Sequence, residues 1–152
     1  MPQRLTWCEV STGALTGNLA EFRRLLGPGC RLAPVVKANA YGHGLVTASR
    51  AFVTAGADVL CVNDLWEAGV LRDHGITIPI HVVGHVDAEQ AADAVALDVS
   101  LVAYETALID ALSREAVQAK RTIRVQMKAE TGTNRQGLRL DGLQALARHA
   151  AG

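Results

Sequence analysis

Short apolar runs recur at residues 32–37, 58–63, 79–84, 98–104 and 122–128, one about every 20 to 25 residues, separated by segments with helical apolar spacing. That alternation constrains the fold more than any other feature. A strand followed by a helix that returns the chain to the starting edge makes the next strand parallel to the first, through a right-handed crossover. Leu15, Leu19, Phe22 and Leu26 share one face of an opening helix, which Gly27-Pro28-Gly29 ends. Asp64 with Glu67, and Asp87 with Gln90, have capping-box spacing after the second and third runs. Ala107, Leu108, Ala111 and Leu112 stripe the next helix, and Leu143, Leu146 and Ala147 begin another. Pro34 and Pro79 stand at strand starts, where a missing N–H is tolerated.

These strand–helix units, the last barely begun, fit two architectures. An open doubly wound sheet can be complete in 152 residues, whereas a closed (β/α)8 barrel needs eight units in about 250. Arithmetic alone favours the open sheet. Composition suits either α/β form: 49% of residues are apolar and only 4% aromatic, and small residues let helices lie close on a sheet. Zero formal charge, with no long run of one sign, argues against nucleic acid and anionic membranes as partners. No stretch approaches the roughly 20 apolar residues of a membrane span. The start, Met1-Pro2-Gln3-Arg4-Leu5-Thr6-Trp7, lacks the apolar core of a secretory leader. Cys8, Cys30 and Cys61 have no paired spacing, so they are expected as reduced, small, buried side chains in a cytoplasmic protein.

The most informative stretch is Val35-Val36-Lys37-Ala38-Asn39-Ala40-Tyr41-Gly42-His43-Gly44. Lys37 ends a buried apolar run, and the chain then turns through small residues and two glycines. Parallel α/β folds bind ligands at the carboxyl ends of their strands, so Lys37 faces a site. Partial desolvation there frees its amine for Schiff-base chemistry, and Tyr41 adds a hydroxyl within loop reach. On chemistry alone, a strand-end lysine can also simply snorkel to solvent. The Gly-His-Gly segment is not a phosphate-binding P-loop, since it lacks the length and the Lys-Ser/Thr ending.

A second polar strand-to-loop transition follows the last run: Gln126-Met127-Lys128-Ala129-Glu130-Thr131-Gly132-Thr133-Asn134-Arg135-Gln136-Gly137-Leu138. Arg135 offers a rigid, permanently charged fork to a carboxylate or a cofactor oxygen. Read alone, Lys128 and Arg135 fit surface ion pairs equally well. His81 and His85 are four apart, but on a strand and its following loop, so no metal site is expected. His74 and His149 fall at helix ends, where positive charge suits the dipole.

The string around Lys37 resembles the signature of the alanine racemases, fold-type III pyridoxal-phosphate enzymes, and the opening Thr6-Trp7-Cys8-Glu9-Val10 resembles that family's start. The resemblance implies a TIM-type parallel (β/α) barrel, incomplete here, with about five of eight units in residues 1–152 and a C-terminal β-domain outside them. It implies pyridoxal 5′-phosphate held by Lys37, with Tyr41 on the cofactor phosphate and Val35 lining the pocket. The second stretch resembles the family's Lys-x-Asp-Thr-Gly-Met-x-Arg-x-Gly motif. Arg135 would then lie beside the cofactor's phenolic oxygen and help place the substrate carboxylate. Lys128 would be a carbamylated lysine, an anion that holds the arginine. Glu130 stands where Asp is usual and Thr133 where Met is usual, which leaves room for a side chain larger than alanine's.

The implied activity is a two-base racemisation of a small amino acid, alanine first, to and from a D-form of the kind used in cell-wall building. The implied assembly is a homodimer of the intact protein, with the second base, a tyrosine, on the partner's β-domain. No residue of this chain matches that tyrosine, so residues 1–152 are expected to be inactive alone. A non-catalytic pyridoxal-phosphate module, a broad-specificity racemase and a decarboxylase-type relative are the alternatives.

Overall fold

The computed structural model describes residues 6–151; the leader reading on Met1–Leu5 falls outside them. The elements are α1 (Thr12–Leu26), a single turn α2 (Lys37–Tyr41), α3 (Leu45–Thr54), β1 (Leu60–Val62), α4 (Leu65–Asp73) and β2 (Ile80–Val82). A 3-10 turn (Ala88–Gln90) then leads into α5 (Ala91–Ala96), β3 (Val99–Ala103), α6 (Thr106–Gln118), β4 (Arg124–Met127) and α7 (Leu140–Ala151). All strand pairs are parallel and the order is β1-β2-β3-β4. Val35 bridges Cys61 in parallel, which sets the lysine segment beside β1. The first apolar run is therefore a single bridge rather than a full strand.

Strand order decides between the two architectures. A doubly wound sheet reverses direction at a switch point, whereas here each strand lies beside its predecessor, as along the arc of a barrel.

Register divides the arc into two faces, because successive side chains point to opposite sides. Val36, Leu60, Val62, Ile80, Val82, Leu101 and Ala103 are buried against the helices in one core. Leu65, Ala68 and Leu71 of α4, and Leu108, Ala111 and Leu112 of α6, supply the facing layer. The opposite, concave face runs Val35, Cys61, His81, Ser100, Arg124 in register. His81 Nδ1 meets Ser100 Oγ at 2.9 Å there, and burial pushes the imidazole's pKa down.

Ser11 caps α1 through a bond from the Ala14 N–H, and Asp87 with Gln90 forms both halves of a capping box. Three arginines tie the connections at the amino ends of the strands. Arg23 reaches the carbonyls of Cys30 and Gly56 and the carboxylate of Asp58. Arg72 reaches four carbonyls, those of Ile76, Ile78, Leu97 and Asp98. Arg121 binds Val95 and Ala96. Each guanidinium gathers backbone carbonyls from connections and helix ends.

Some expectations need correcting. Phe22 and Leu26 share a face with buried Leu19 but are 58% and 49% exposed, because no element among the described residues covers the end of α1. Cys8 and Cys30 are exposed and only Cys61 is buried: the first two lie outside the regular elements, in segments with no core to enter. Ala107, placed on the α6 stripe, is exposed as well. Among the described residues, no helix is long and apolar enough to cross a membrane.

Candidate functional site

Lys37 leaves the sheet at its carboxyl end. The Val36 N–H donates to Cys61 O at 2.8 Å and the Cys61 N–H to Pro34 O at 3.0 Å, so the lysine follows directly on the last sheet bond. The chain then does something unusual for residues with a Cβ. Ala38, Asn39, Ala40 and Tyr41 all take φ between 52° and 55°, a full left-handed turn. Such a turn costs roughly 1–2 kcal/mol per residue and persists only where the surroundings over-determine it.

They do so here. Ala40 is buried and its N–H donates to Val36 O. Asn39 O accepts from the Gly42 and Gly44 N–H groups, and Asn39 Oδ1 accepts from the Leu45 N–H at 2.8 Å. Gly42, at φ 96°, lets the chain leave the turn. The result presents Lys37, half-buried, and Tyr41, 63% exposed, at the strand ends.

The second motif lies at the same end of the sheet. The Lys128 N–H donates to Ala103 O as β4 finishes, and Lys128 O accepts from the Leu138 N–H. Ala129 bridges Leu138 and closes residues 130–137 into a loop. Glu130 folds that loop around its own carboxylate. Backbone N–H groups of Asn134 and Gly132, then of Arg135 and Thr133, hold its carboxyl below the usual range. Gly137, at φ 112°, packs its Cα side against Lys128 O, where a Cβ would come within 3.0 Å.

The side chains of Lys37, Tyr41, Lys128 and Arg135 take part in no hydrogen bond or ion pair among the described residues. The fold thus brings the predicted residues to one end of the sheet without pairing them to one another. Val35 sits on the concave face and is 45% exposed. An amine, a phenol and a guanidinium, all free and on one rim, suit a ligand with an electrophilic carbon and anionic oxygens.

Two features of this rim were missed. Tyr104 OH and His85 Nδ1 lie 2.6 Å apart, and His85 Nε2 meets Asp87 Oδ1 at 3.0 Å. Burial raises the Tyr104 pKa, with Glu105 and Asp87 adding to it. His81 and His85 therefore have separate partners, and no group of three metal-ligating side chains occurs among the described residues. The second feature is Glu67. Asp64 caps α4 as expected, accepting from the Glu67 N–H at 3.0 Å. The Glu67 carboxylate, however, does not return to the Asp64 N–H. It accepts instead from the N–H groups of Asn63, at 2.7 Å, and of Asn39, at 3.4 Å. The spacing predicts a capping box, and only its Asp64 half forms.

Residues 10–152 match the family model for the alanine racemase N-terminal domain. The chain belongs to the alanine racemase family. It is 38% identical to the alanine racemase of Symbiobacterium thermophilum over 97% of its length and 37% identical to that of Methanococcus maripaludis over 86%. The crystal structure of alanine racemase from Bacillus anthracis with bound L-Ala-P has a TM-score of 0.85 and 30% identity, across 99% of this chain. A histidine racemase from Leuconostoc mesenteroides reaches 0.82 at 29% identity, across 92%. The chain spans only 35% to 40% of the length of these relatives. Its parallel arc is accordingly the N-terminal portion of the alanine racemase TIM-type barrel.

Proposed function

We propose that this chain is the cofactor-bearing part of a pyridoxal 5′-phosphate-dependent amino-acid racemase that interconverts L- and D-alanine. The observation that carries the reading is the unpaired Lys37 amine, presented at the carboxyl end of the sheet by a strained turn. When bound, the cofactor supplies an electron sink that acidifies the substrate's α-proton.

Lys37 would hold the cofactor through its amine and, once released, take or return the α-proton on one face. Tyr41 would donate its hydroxyl to the cofactor phosphate, while Val35 packs beneath on the concave face. Arg135 would give its fork to the phenolic oxygen and the substrate carboxylate. Carbamylation of Lys128 would turn a like-charged neighbour into an anion that steadies Arg135. The second base, the remaining phosphate contacts and a C-terminal β-domain would lie outside residues 1–152, in a cytoplasmic homodimer of the intact protein. Residues 1–152 alone would then bind cofactor without racemising.

Borohydride treatment in the presence of pyridoxal 5′-phosphate, followed by peptide mass spectrometry, tests the first step. The label is expected on Lys37 and lost in Lys37→Ala; label on another lysine instead sinks the assignment. Deuterium exchange at the α-carbon of L-alanine, followed by NMR, tests the second step. It is expected for the intact protein and not for the isolated 152 residues.

A broader substrate range is the second reading. Thr133 is exposed in the loop beside Arg135, and the structural likeness to a histidine racemase is close to that to alanine racemases. The ratio of kcat/KM for alanine to that for larger amino acids decides it, and a strict alanine preference rejects it.

A further inference from the structure

We propose that Glu67 is a positioning residue for the lysine turn: its buried carboxylate ties that turn to the neighbouring strand end and so fixes where Lys37 and Tyr41 stand. The inference rests on the reading of Lys37 as the cofactor lysine.

Helix capping does not explain Glu67. Asp64 already accepts from the first turn of α4, and the carboxylate turns away from the helix to the Asn63 and Asn39 N–H groups. Glu67 is 5% exposed and has no cationic partner among the described residues. Burying a charge in that way is costly unless each oxygen finds a donor. One donor, the Asn63 N–H, is at the end of β1, and the other, the Asn39 N–H, is in the left-handed turn.

Their positions matter. Val35 is opposite Cys61 in an isolated bridge, and Asn63 and Lys37 each stand two residues beyond it along their segments. Asn63 O in turn accepts from the Gly84 N–H at 2.9 Å, at the end of β2. A Cβ on Gly84 would overlap Asn63 O, so that approach requires glycine. Asn39 is the second of the four left-handed residues. Its carbonyl and side-chain oxygen are already bonded on the downstream side. Glu67 supplies the one bond that ties its N–H back to the sheet. Without it the strained turn loses its anchor toward β1 and is free to relax toward right-handed backbone.

The test uses the full-length protein. Glu67→Gln keeps the shape but sets an NH2 against one of the two N–H donors. Its affinity for pyridoxal 5′-phosphate, read by absorbance titration, is expected to fall about tenfold. Borohydride trapping on Lys37 should slow in parallel, while the thermal midpoint stays within a few degrees. Asp64→Ala weakens the same helix without touching the turn, and should leave cofactor affinity unchanged. Ala38→Gly in the Glu67→Gln background should restore most of the affinity, because glycine takes positive φ without strain. The same pair answers the question if Glu67→Gln alone folds poorly.

Unchanged affinity and trapping in Glu67→Gln overturns the proposal. So does an equal loss in Asp64→Ala, or no rescue by Ala38→Gly. Trapping that survives in Lys37→Ala fails the cofactor-lysine reading instead, a result separate from all of these.

Discussion

Replacing Arg72 with lysine should separate stability from function, because Arg72 works at the end of the sheet opposite Lys37. Its guanidinium makes four bonds, at 2.8 Å to Ile76 O, 2.9 Å to Ile78 O, 3.0 Å to Leu97 O and 3.1 Å to Asp98 O. Two carbonyls precede β2 and two precede β3. A planar fork spans both connections, whereas a single ammonium is a point donor that reaches one of them. At least two bonds are lost, each worth about 1 kcal/mol net. Partial exposure lets water replace some of that, so the expected loss is about 2 kcal/mol. Arg72→Met, which forfeits all four, should cost about twice as much. Urea unfolding of the full-length protein by circular dichroism reads this as a lowered midpoint at constant slope. Affinity for pyridoxal 5′-phosphate should stay at the parent value. A stability change below about 0.5 kcal/mol would refute the stapling role, and weakened cofactor binding at full stability would refute the division between the two ends.

Gly84→Ala should destabilise by about 3 kcal/mol, since the overlap is with backbone at Asn63 O and not with a movable side chain; chemical denaturation measures it. His81 should make stability depend on pH. Burial depresses its folded pKa below the unfolded value of about 6.5, so the unfolded chain takes up the proton first. The contribution is present above that value and is lost as pH falls through the folded pKa. Denaturant midpoints measured down from neutral pH should therefore decline, and His81→Phe should remove that part of the slope.

Much of the fold was legible because apolar periodicity is local. The runs ending in Asn63, Gly84, Tyr104 and Lys128 contain β1 to β4, which end one or two residues earlier, and the caps at Asp64 and Asp87 form. Family membership was legible too, because the residues around Lys37 and Arg135 are contiguous in the chain. Other features were not, because they depend on which backbone groups meet. Nothing in the spacing of Ala38 to Tyr41 announces a left-handed turn; it is held by bonds among Val36, Asn39, Ala40, Gly42, Gly44 and Leu45, and by Glu67 from farther along the chain. Arg23, Arg72 and Arg121 carry no signal in their neighbouring residues, because the carbonyls they collect come together only in the fold.

The sequence by itself determined the alternation of strand and helix, the two polar strand-to-loop stretches and the lysine in the first of them, since each is written in neighbouring residues. Its periodicity alone left open whether the sheet curves as a barrel arc, as the family resemblance implied, or reverses, and it said nothing of what Glu67 does. Only the tertiary structure decided those. Strand order and the destination of a buried carboxylate depend on contacts between segments far apart in the chain: residues 35 and 61 for the first bridge, 39 and 67 for the turn beside the lysine.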